Sequence, residues 1–390
     1  MRVVGLFAGI GGFEAGFSRA GHEIVGLCEW DEDAMSVLQR HFPDAEKFAD
    51  VTAIERLPPN TDLVLAGFPC QDLSQAGRMA GITGSRSGLV NRVFDLVSDR
   101  WVPWVVLENV QNLLRLHGGA GMAHVTSRLE EIGYNWAYRT VDTRAFGLPQ
   151  RRLRVFLVAS LHGDPSGVLF SDSMTPSWPD DRVFDPDTEA YGFYWTEGNT
   201  GVGWARDAVP TLKGGSAVAI PSAPAVWRVK AADQDAFMTP GLEDAEALQG
   251  FRRGWSALDG TGTRERRRWR MVGNAVTVPI AEWIGRRVHS PGEPLEADLR
   301  PRGDKWPSAA RGGPGKVCEA VGVSTWPVCE SQQHLHEVVI GGVPLSGRAA
   351  VGFYDRLMRS SLRGGPPTFR RALAAYCSAR GFARVWSEGE

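Results

Sequence analysis

The stretch RVVGLFAGIGG, residues 2–12, places a short apolar run directly before a glycine-rich turn. The apolar run predicts a buried strand, and the residues after the turn predict a helix. Between them, Gly9, Gly11 and Gly12 allow the backbone to approach a ligand closely. Their spacing differs from the dinucleotide pattern G-x-G-x-x-G, so it argues against a nicotinamide dehydrogenase and for an adenosyl ligand without phosphates. An ordinary strand–helix turn explains the same residues.

Apolar strands and amphipathic helices continue to alternate as far as residue 160. The predicted strands are 23–28, 62–66, 104–107 and 154–159, and the predicted helices are 13–19, 31–40, 89–100 and 122–132. This alternation predicts an α/β fold in which a Rossmann-like, doubly wound and mostly parallel sheet is covered by helices on both faces.

Length, charge and cysteine content limit the class of protein. The 390 residues suffice for one large domain and a smaller one, and the formal net charge of −2 does not by itself indicate a nucleic-acid partner. Five scattered cysteines are not a disulfide framework, which favours a reducing, cytoplasmic location. No apolar run approaches the roughly 20 residues of a membrane helix. The strand predicted from residue 2 leaves no room for a signal peptide.

Changes in composition divide the chain. Residues 1–164 predict one α/β domain, and residues 271–289 contain a further predicted helix. Residues 165–270 are rich in Pro, Gly, Trp and Asp and predict a smaller, irregular domain. Pro and Gly in 290–316 predict a linker or long loop. Residues 317–390 predict a C-terminal extension with helical stretches.

Acidic residues follow the second predicted strand, 23–28, and a third strand expected just before residue 50. Glu29 ends the second strand beside Trp30, where a carboxylate can bind two ribose hydroxyls and an indole can stack on adenine. Asp50 and Val51 follow the third strand and are expected near the adenine amino group. Taken alone, Glu29 also fits a surface acid.

A cysteine and a glutamate follow two further strands, in GFPCQ (67–71) and LENV (107–110). A thiolate at Cys70 and an acid at Glu108 are the minimum equipment for covalent addition to an electron-poor ring. Arginines in QRRLR (150–154) are placed to orient Glu108 and stabilise negative charge. The alternatives are a buried structural cysteine, a surface or capping glutamate and a solvated basic turn.

Taken in order, these motifs resemble those of the DNA (cytosine-5) methyltransferases of bacteria and phages. The motif GNAV (273–276) completes the set, and the resemblance covers about residues 1–160 and 240–288. It implies S-adenosylmethionine as the cofactor, with S-adenosylhomocysteine as the product. The residues implied in the cofactor pocket are Phe7, Gly9, Gly11, Gly12, Glu29, Trp30, Asp50, Val51, Pro69, Leu89, Asn274 and Val276.

The resemblance also implies a mechanism. Cys70 attacks C6 of a cytosine, Glu108 protonates N3 or donates a hydrogen bond to it, and C5 accepts the methyl group. The catalytic set is Cys70, Glu108, Arg152 and Arg154, with Arg152 supporting Glu108 and the base O2. Because stacking in a duplex hides C6, the base has to be flipped out, and the glycine-rich segment after Cys70 is expected to close over it.

The resemblance assigns DNA recognition to the variable region that follows residue 165. The residues expected at DNA are Gln71, Ser74, Arg86, Lys213 and Ser216. Between residues 348 and 384 the extension carries eight arginines and one acid, Asp355, which predicts a phosphate-binding surface or a solvated helical face. These arginines are Arg348, Arg356, Arg359, Arg363, Arg370, Arg371, Arg380 and Arg384.

The predicted function is sequence-specific methylation of duplex DNA in restriction-modification or phage defence, by a monomer with cognate restriction or defence proteins as partners. A tRNA cytosine-5 methyltransferase and a non-catalytic DNA-binding regulator are the alternatives. One departure concerns Gly5, since many family members carry an acid or a small polar residue there. No metal is expected, because Cys318, Cys329, His334 and His336 lack the paired spacing of structural zinc sites.

Overall fold

A ten-stranded sheet forms the centre of the described chain. The structure, a computed structural model, describes residues 1–68, 88–176, 184–196, 201–214, 223–258, 265–295, 298–360 and 368–382. The strands, numbered along the chain, are β1 Arg2–Leu6, β2 Glu23–Cys28, β3 Glu46–Phe48, β4 Leu63–Ala66, β5 Trp104–Val110, β6 Asn135–Asp142, β7 Gln150–Arg151, β8 Leu153–Ser160, β9 Tyr191–Phe193, β10 Ala205–Arg206, β11 Val209–Pro210, β12 Ala225–Trp227, β13 Phe237–Thr239, β14 Leu299–Pro301, β15 Ala309–Gly312, β16 Glu319–Val321 and β17 Val343–Pro344.

The central sheet has the strand order β14-β16-β15-β6-β8-β5-β4-β1-β2-β3. Strands β1 to β5 pair in parallel, and β8 runs antiparallel between β5 and β6. Val3, Val4 and Leu6 are all buried, as expected for a parallel strand covered on both faces. The carboxyl ends of β1, β2, β4 and β5 therefore lie along one edge of the sheet.

Helices cover both faces of this sheet, which confirms the predicted α/β class. Phe17 of α1 and Ile280 of α8 pack on one face, while Phe94 of α3 and Met122 of α4 pack on the other. No helix within the described ranges is long and apolar enough to cross a membrane. The helices are α1 Gly12–Arg19, α2 Glu32–His41, α3 Gly88–Arg100, α4 Ala120–Glu131, α5 Ser166–Leu169, α6 Leu242–Leu248, α7 Glu265–Asn274, α8 Val278–His289, α9 Leu335–Val338, α10 Gly347–Arg359 and α11 Phe369–Ala379.

The segment 290–316, predicted as a linker or long loop, instead supplies two strands of the central sheet. Strand β15 pairs antiparallel with β6, and β14 pairs with β16. At Gly312 a side chain would collide with the indole of Trp136, so the glycine allows that ring to lie against the strand. The prediction is wrong because glycine usually indicates a loop, whereas this glycine serves close packing within a strand.

A second sheet has the order β10-β9-β12-β13-β17, and β11 pairs with β7 at the end of the central sheet. Its strands are two or three residues long, and its inner face is aromatic, with Phe193, Trp227 and Phe237 buried. Such short strands need another element packed on that face to form a stable layer.

The described part of the extension supplies that element. Phe353 of α10, together with Phe369 and Tyr376 of α11, packs on the aromatic face of the second sheet, and β17 pairs with β13. The predicted boundary between 165–270 and an extension at 317–390 therefore does not follow the fold. Within the described part of 165–270, the two helices that lie wholly inside the segment, α5 and α6, have only four and seven residues.

Candidate active site

The glycine-rich loop follows β1 at the carboxyl edge of the sheet. Gly9 and Gly11 have φ of 57° and 83°, a left-handed conformation that side chains rarely adopt. A side chain at Gly12 would collide with the carbonyl oxygen of Val276. The residues that follow α7 therefore lie directly against this loop. Predicted cofactor residues from the start of the chain and from around residue 275 come together here.

Glu29 joins the loop to the end of β2. Its two carboxylate oxygens accept the backbone N–H groups of Gly9, at 2.7 Å, and Asp31, at 2.9 Å. Burial raises the pKa of Glu29, which is only 8% exposed. Because each carboxylate oxygen can accept more than one hydrogen bond, Glu29 keeps capacity for ribose hydroxyls. Trp30 beside it is 79% exposed, so its indole is accessible for stacking.

The other predicted cofactor residues lie around the same edge. Asp50 is exposed after β3 and accepts the N–H of Thr52 at 2.8 Å, a bond that lowers the pKa of Asp50. Val51 is buried, and Leu89 is half-buried at the start of α3. The backbone N–H of Glu29 bonds the carbonyl of Phe48 at 3.0 Å, which holds the ends of β2 and β3 together.

Asn274 ends α7 and connects the loop to the smaller domain. A side chain at Gly214 would collide with the Asn274 amide oxygen, and one at Gly273 would lie 2.5 Å from the carbonyl carbon of Lys213. Glycines at these two positions allow the segment before residue 215 to approach the end of α7, close to the glycine loop.

Glu108 forms a buried ion pair at the end of β5. Its carboxylate lies 3.0 Å from Nε of Arg154, and both side chains are largely shielded from solvent. Burial raises the pKa of Glu108, while the charges of Arg154 and Arg152 act in the opposite direction. The antiparallel pairing of β5 with β8 places the two side chains together. A carboxylic acid with a raised pKa beside a fixed cation is suited to donate a proton or hydrogen bond.

Arg152 differs from its predicted role. It is 1% exposed and donates to three backbone carbonyls, those of Leu212 (3.2 Å), Gly273 (3.1 Å) and Ala275 (2.9 Å), rather than to Glu108. Its described contacts hold the smaller domain and the end of α7 in place. Arg154 forms the ion pair with Glu108, whereas Arg152 acts on the acid through its charge alone.

Six predicted site residues lie outside the described residues: Pro69, Cys70, Gln71, Ser74, Arg86 and Ser216. The backbone that leads to Cys70 is described as far as Phe68, whose carbonyl accepts the side-chain amide of Asn109 at 3.0 Å. A Cβ at Gly67 would lie 3.8 Å from Oε2 of Glu108. The chain therefore reaches the cysteine segment directly beside the buried acid.

Lys213, predicted at DNA, lies against an aromatic ring. Its Nζ is 3.8 Å from the ring centroid of Tyr194, and the Tyr194 hydroxyl donates to the carbonyl of Thr211 at 2.6 Å. Arg151 donates to the carbonyl of Gly203 at 3.1 Å on the same side of the smaller domain. Tyr194 also acts on the pKa of the buried Arg152 and Arg154, so the ring that contacts Lys213 lies near the Glu108 pair.

The residues considered for zinc do not converge. His334 Nδ1 lies 2.7 Å from the buried carboxylate of Asp207, and His336 Nδ1 lies 2.9 Å from the carbonyl of Thr188. Across the ranges that the structure describes, no group of three His, Cys, Asp or Glu side chains is placed to hold a metal ion.

Glu14 is a buried acid at this edge that sequence reasoning missed. Its carboxylate occupies the space that a side chain at Gly5 would need, and Oε2 has no hydrogen-bond partner among the described residues. An acid in the first turn of a helix normally indicates a solvated side chain near the positive end of the dipole. The only signal in the sequence is Gly5, where the resemblance leads one to expect a side chain.

We expect Glu14→Gln to reduce the pH dependence of the free energy of unfolding. Burial raises the pKa of Glu14 from 4.5 to about 8. Between these values the folded protein binds one more proton than the unfolded chain. The contribution of Glu14 to stability is therefore complete below pH 4.5 and falls as the pH rises towards 8, by roughly 1.4 kcal/mol for each pH unit. Chemical unfolding of the variant across this range is expected to show a shallower decline.

Glu23→Gln, at an exposed position of β2, removes the same charge and is the control. An equal decline in wild type and Glu14→Gln contradicts a buried, protonated Glu14.

Comparison with known proteins agrees with this geometry. A family model described as C-5 cytosine-specific DNA methylase matches residues 1–190. The Type II methyltransferase M2.BsuMI of Bacillus subtilis (strain 168) is 46% identical over 371 residues, 92% of this chain and 94% of that protein. The Type II methyltransferase M.NgoBI of Neisseria gonorrhoeae is 34% identical over 40% of this chain and 50% of that protein. The solved Dnmt2 methyltransferase of S. pombe shares the fold, with a TM-score of 0.55 at 16% identity over 73% of this chain and 96% of that chain.

Proposed function

Because the chain belongs to the C-5 cytosine-specific DNA methylases, we propose that it methylates a cytosine flipped out of duplex DNA through a covalent bond between Cys70 and C6 of the base. The observation that carries the proposal is the buried pair of Glu108 and Arg154 beside the backbone that leads to Cys70. A protein that only binds DNA needs no buried acid with a raised pKa at this position.

S-adenosylmethionine is the proposed methyl donor, and it supplies an electrophilic methyl group when bound. The donor set at the loop fits an adenosyl ligand without phosphates, because the carboxylate of Glu29 rather than a cationic side chain lies beside Gly9. Trp30 offers an exposed indole on which the adenine can stack, and Val276, two residues after Asn274, lies against Gly12 of the loop.

The chemistry follows from the thiolate and the acid. The Cys70 thiolate forms a bond to C6, and the displaced electron pair moves towards N3, where Glu108 donates its proton. The resulting enamine makes C5 nucleophilic enough to accept the methyl group. A base then removes the C5 proton, the C6–S bond breaks, the thiolate leaves and N3 returns its proton to Glu108. Arg154 holds Glu108 in position through this cycle.

The target base has to leave the duplex for Cys70 to reach C6. The proposed contacts of Gln71, Ser74 and Arg86 with the flipped nucleotide or its phosphates, and closure of the glycine-rich segment over it, fall outside the described residues. They remain expectations that follow from the family resemblance.

We propose that residues 1–164 and 271–289 form the catalytic domain, and that 165–270 together with the second half of the extension recognises DNA. Arg356 donates to the carbonyl of Trp195 at 2.8 Å, and Phe369 packs on Trp204 with ring centroids 4.3 Å apart. These contacts join helices α10 and α11, which carry the arginines, to the segment after β9. That segment includes Tyr194, whose ring contacts Lys213. Ser216, three residues after Lys213 in the sequence, falls outside the described residues.

We expect the double change Arg348→Gln and Arg359→Gln to weaken DNA binding at low salt and to flatten its salt dependence. Both side chains are exposed on the face of α10 opposite the buried Phe353 and Leu357, so the changes leave the core intact. Each lost phosphate contact reduces the slope of log affinity against log salt by about 0.9. Fluorescence anisotropy over a salt series measures this slope.

Arg300→Gln, at an exposed position of the edge strand β14 of the central sheet, is the control. An unchanged slope in the double variant means that the arginines form a solvated helical face. Deletion of the extension is unsuitable as a test, because it uncovers the aromatic face of the second sheet.

Transfer of tritium from methyl-labelled S-adenosylmethionine tests the function directly. We expect label in duplex DNA but none in tRNA, and bisulfite sequencing of a plasmid from an expressing host then locates the methylated cytosines. Label in tRNA supports the tRNA methyltransferase, and DNA binding without label supports a regulator; either result overturns the proposal. We place the protein in a restriction-modification or defence system because M2.BsuMI is a Type II methyltransferase.

A further inference from the structure

One peptide group of the glycine loop is held at both ends. The carbonyl oxygen of Ile10 accepts the indole N–H of Trp255 at 2.8 Å, and the N–H of Gly11, in the same peptide, donates to the carbonyl of Ala8 at 2.9 Å. Because a peptide group is planar, these two bonds fix its rotation. Trp255 lies 245 residues further along the chain, so this bond is a tertiary contact rather than a property of the loop.

Trp255 is itself held against α2. Its ring stacks on His41 with centroids 3.5 Å apart and planes 1° from parallel, and His41 Nε2 donates to the Trp255 carbonyl at 2.8 Å. Phe42, the next residue, contacts the edge of the same indole, and its ring would lie 2.9 Å from a Cβ at Gly11. The indole and the end of α2 thus form one wall behind the loop.

A buried carboxylate shapes the turn that presents Trp255. Glu246 of α6 is fully buried and accepts the N–H groups of Gly254, at 2.6 Å, and Ser256, at 2.9 Å. Arg268 of α7 lies 3.2 Å from the same carboxylate and balances its charge. The turn is therefore fixed on both sides of Trp255.

We propose that Trp255 is a positioning residue for the methyl donor, acting through the Ile10 carbonyl to hold the glycine loop in its ligand-binding conformation. The proposal rests on the proposed function of the loop. Without the indole N–H, the peptide between Ile10 and Gly11 loses one of its two restraints. The loop then samples conformations in which its backbone no longer fits the ligand. The apparent affinity falls in proportion to the fraction of molecules whose loop still has the binding conformation.

Trp255→Phe tests the proposal, because phenylalanine keeps an aromatic ring for His41 and lacks the N–H. We expect the Kd for S-adenosylhomocysteine, measured by isothermal titration without DNA, to rise about five-fold, the value of one neutral hydrogen bond. The KM for S-adenosylmethionine is expected to rise by the same factor, while kcat and the Kd for DNA stay within about two-fold. Trp101→Phe, at an exposed position after α3, is the matched control.

An unchanged Kd for S-adenosylhomocysteine in Trp255→Phe overturns the proposal, as does a loss confined to kcat or to DNA affinity. Glu246→Gln is the second variant: it loosens the turn without altering the indole and is expected to raise the same Kd, so a failure of Trp255→Phe to fold leaves the test intact. If the wild type binds S-adenosylhomocysteine but methylates no DNA, the proposed function fails while this inference stands. If it methylates DNA and the two variants bind as the wild type does, only this inference fails.

Discussion

Cys70→Ser is expected to abolish the covalent complex with DNA that carries 5-fluorocytosine at the target position. Fluorine at C5 cannot leave as a proton does, so the wild-type enzyme remains attached through the bond between Cys70 and C6. A serine hydroxyl is essentially un-ionised at neutral pH and does not replace the thiolate. Methyl transfer to ordinary DNA is expected to fall by at least about 10⁴-fold, as when an enzyme loses its nucleophile.

Denaturing gel electrophoresis after incubation with the fluorinated DNA and S-adenosylmethionine measures the adduct. Cys329→Ser, an exposed cysteine, is the control and is expected to form the adduct as the wild type does. A stable adduct with Cys70→Ser assigns the nucleophile to another residue. Binding of S-adenosylhomocysteine by the variant checks that the predicted cofactor site around the glycine loop is still folded.

Glu108→Gln is expected to lower kcat by about 10² to 10⁴-fold, the usual contribution of a general acid, and to change the pH profile. Burial raises the pKa of Glu108, so its protonated form persists to higher pH than that of an ordinary glutamic acid. In the wild type kcat is expected to decline as the pH rises through this raised pKa. The variant carries no titrating acid there, so its alkaline decline is expected to disappear.

Glu131→Gln, an exposed acid at the end of α4, removes a carboxylate elsewhere and is expected to keep the wild-type profile. Because Glu108→Gln leaves the buried Arg154 without its counter-charge, thermal unfolding has to be measured beside the rate. A variant that remains folded, binds S-adenosylhomocysteine and retains the alkaline decline assigns that ionisation to a different group.

The sequence predicted the α/β class because its signals are local: apolar runs, a glycine turn and amphipathic helices repeat within 160 residues. The sequence did not distinguish the roles of Arg152 and Arg154. Arg154 reaches Glu108 through the antiparallel pairing of β5 with β8, and Arg152 bonds carbonyls more than 55 residues away. The pattern QRRLR contains one arginine that pairs with the acid, Arg154, and two that donate to distant backbone carbonyls, Arg151 and Arg152.

Two further differences between the prediction from sequence and the structure also arise from tertiary contacts. The strands within 290–316 are three and four residues long and are stabilised by their neighbours in the sheet, so local composition does not indicate them. Trp255 looks like an ordinary aromatic residue after a helix, and its bond to Ile10 becomes visible only when the chain is folded.

The three carbonyl contacts of Arg152 have a consequence for how specificity can diverge. Main-chain oxygens are present whatever the side chain, so Arg152 holds residues 212, 273 and 275 without constraining their identity. Exposed side chains between these anchor points can then change while the backbone still docks on the same frame, provided that Gly214, Trp255 and Gly273 are kept. Under the proposed role of residues 165–270 in DNA recognition, such changes alter the target sequence and leave the catalytic residues in place.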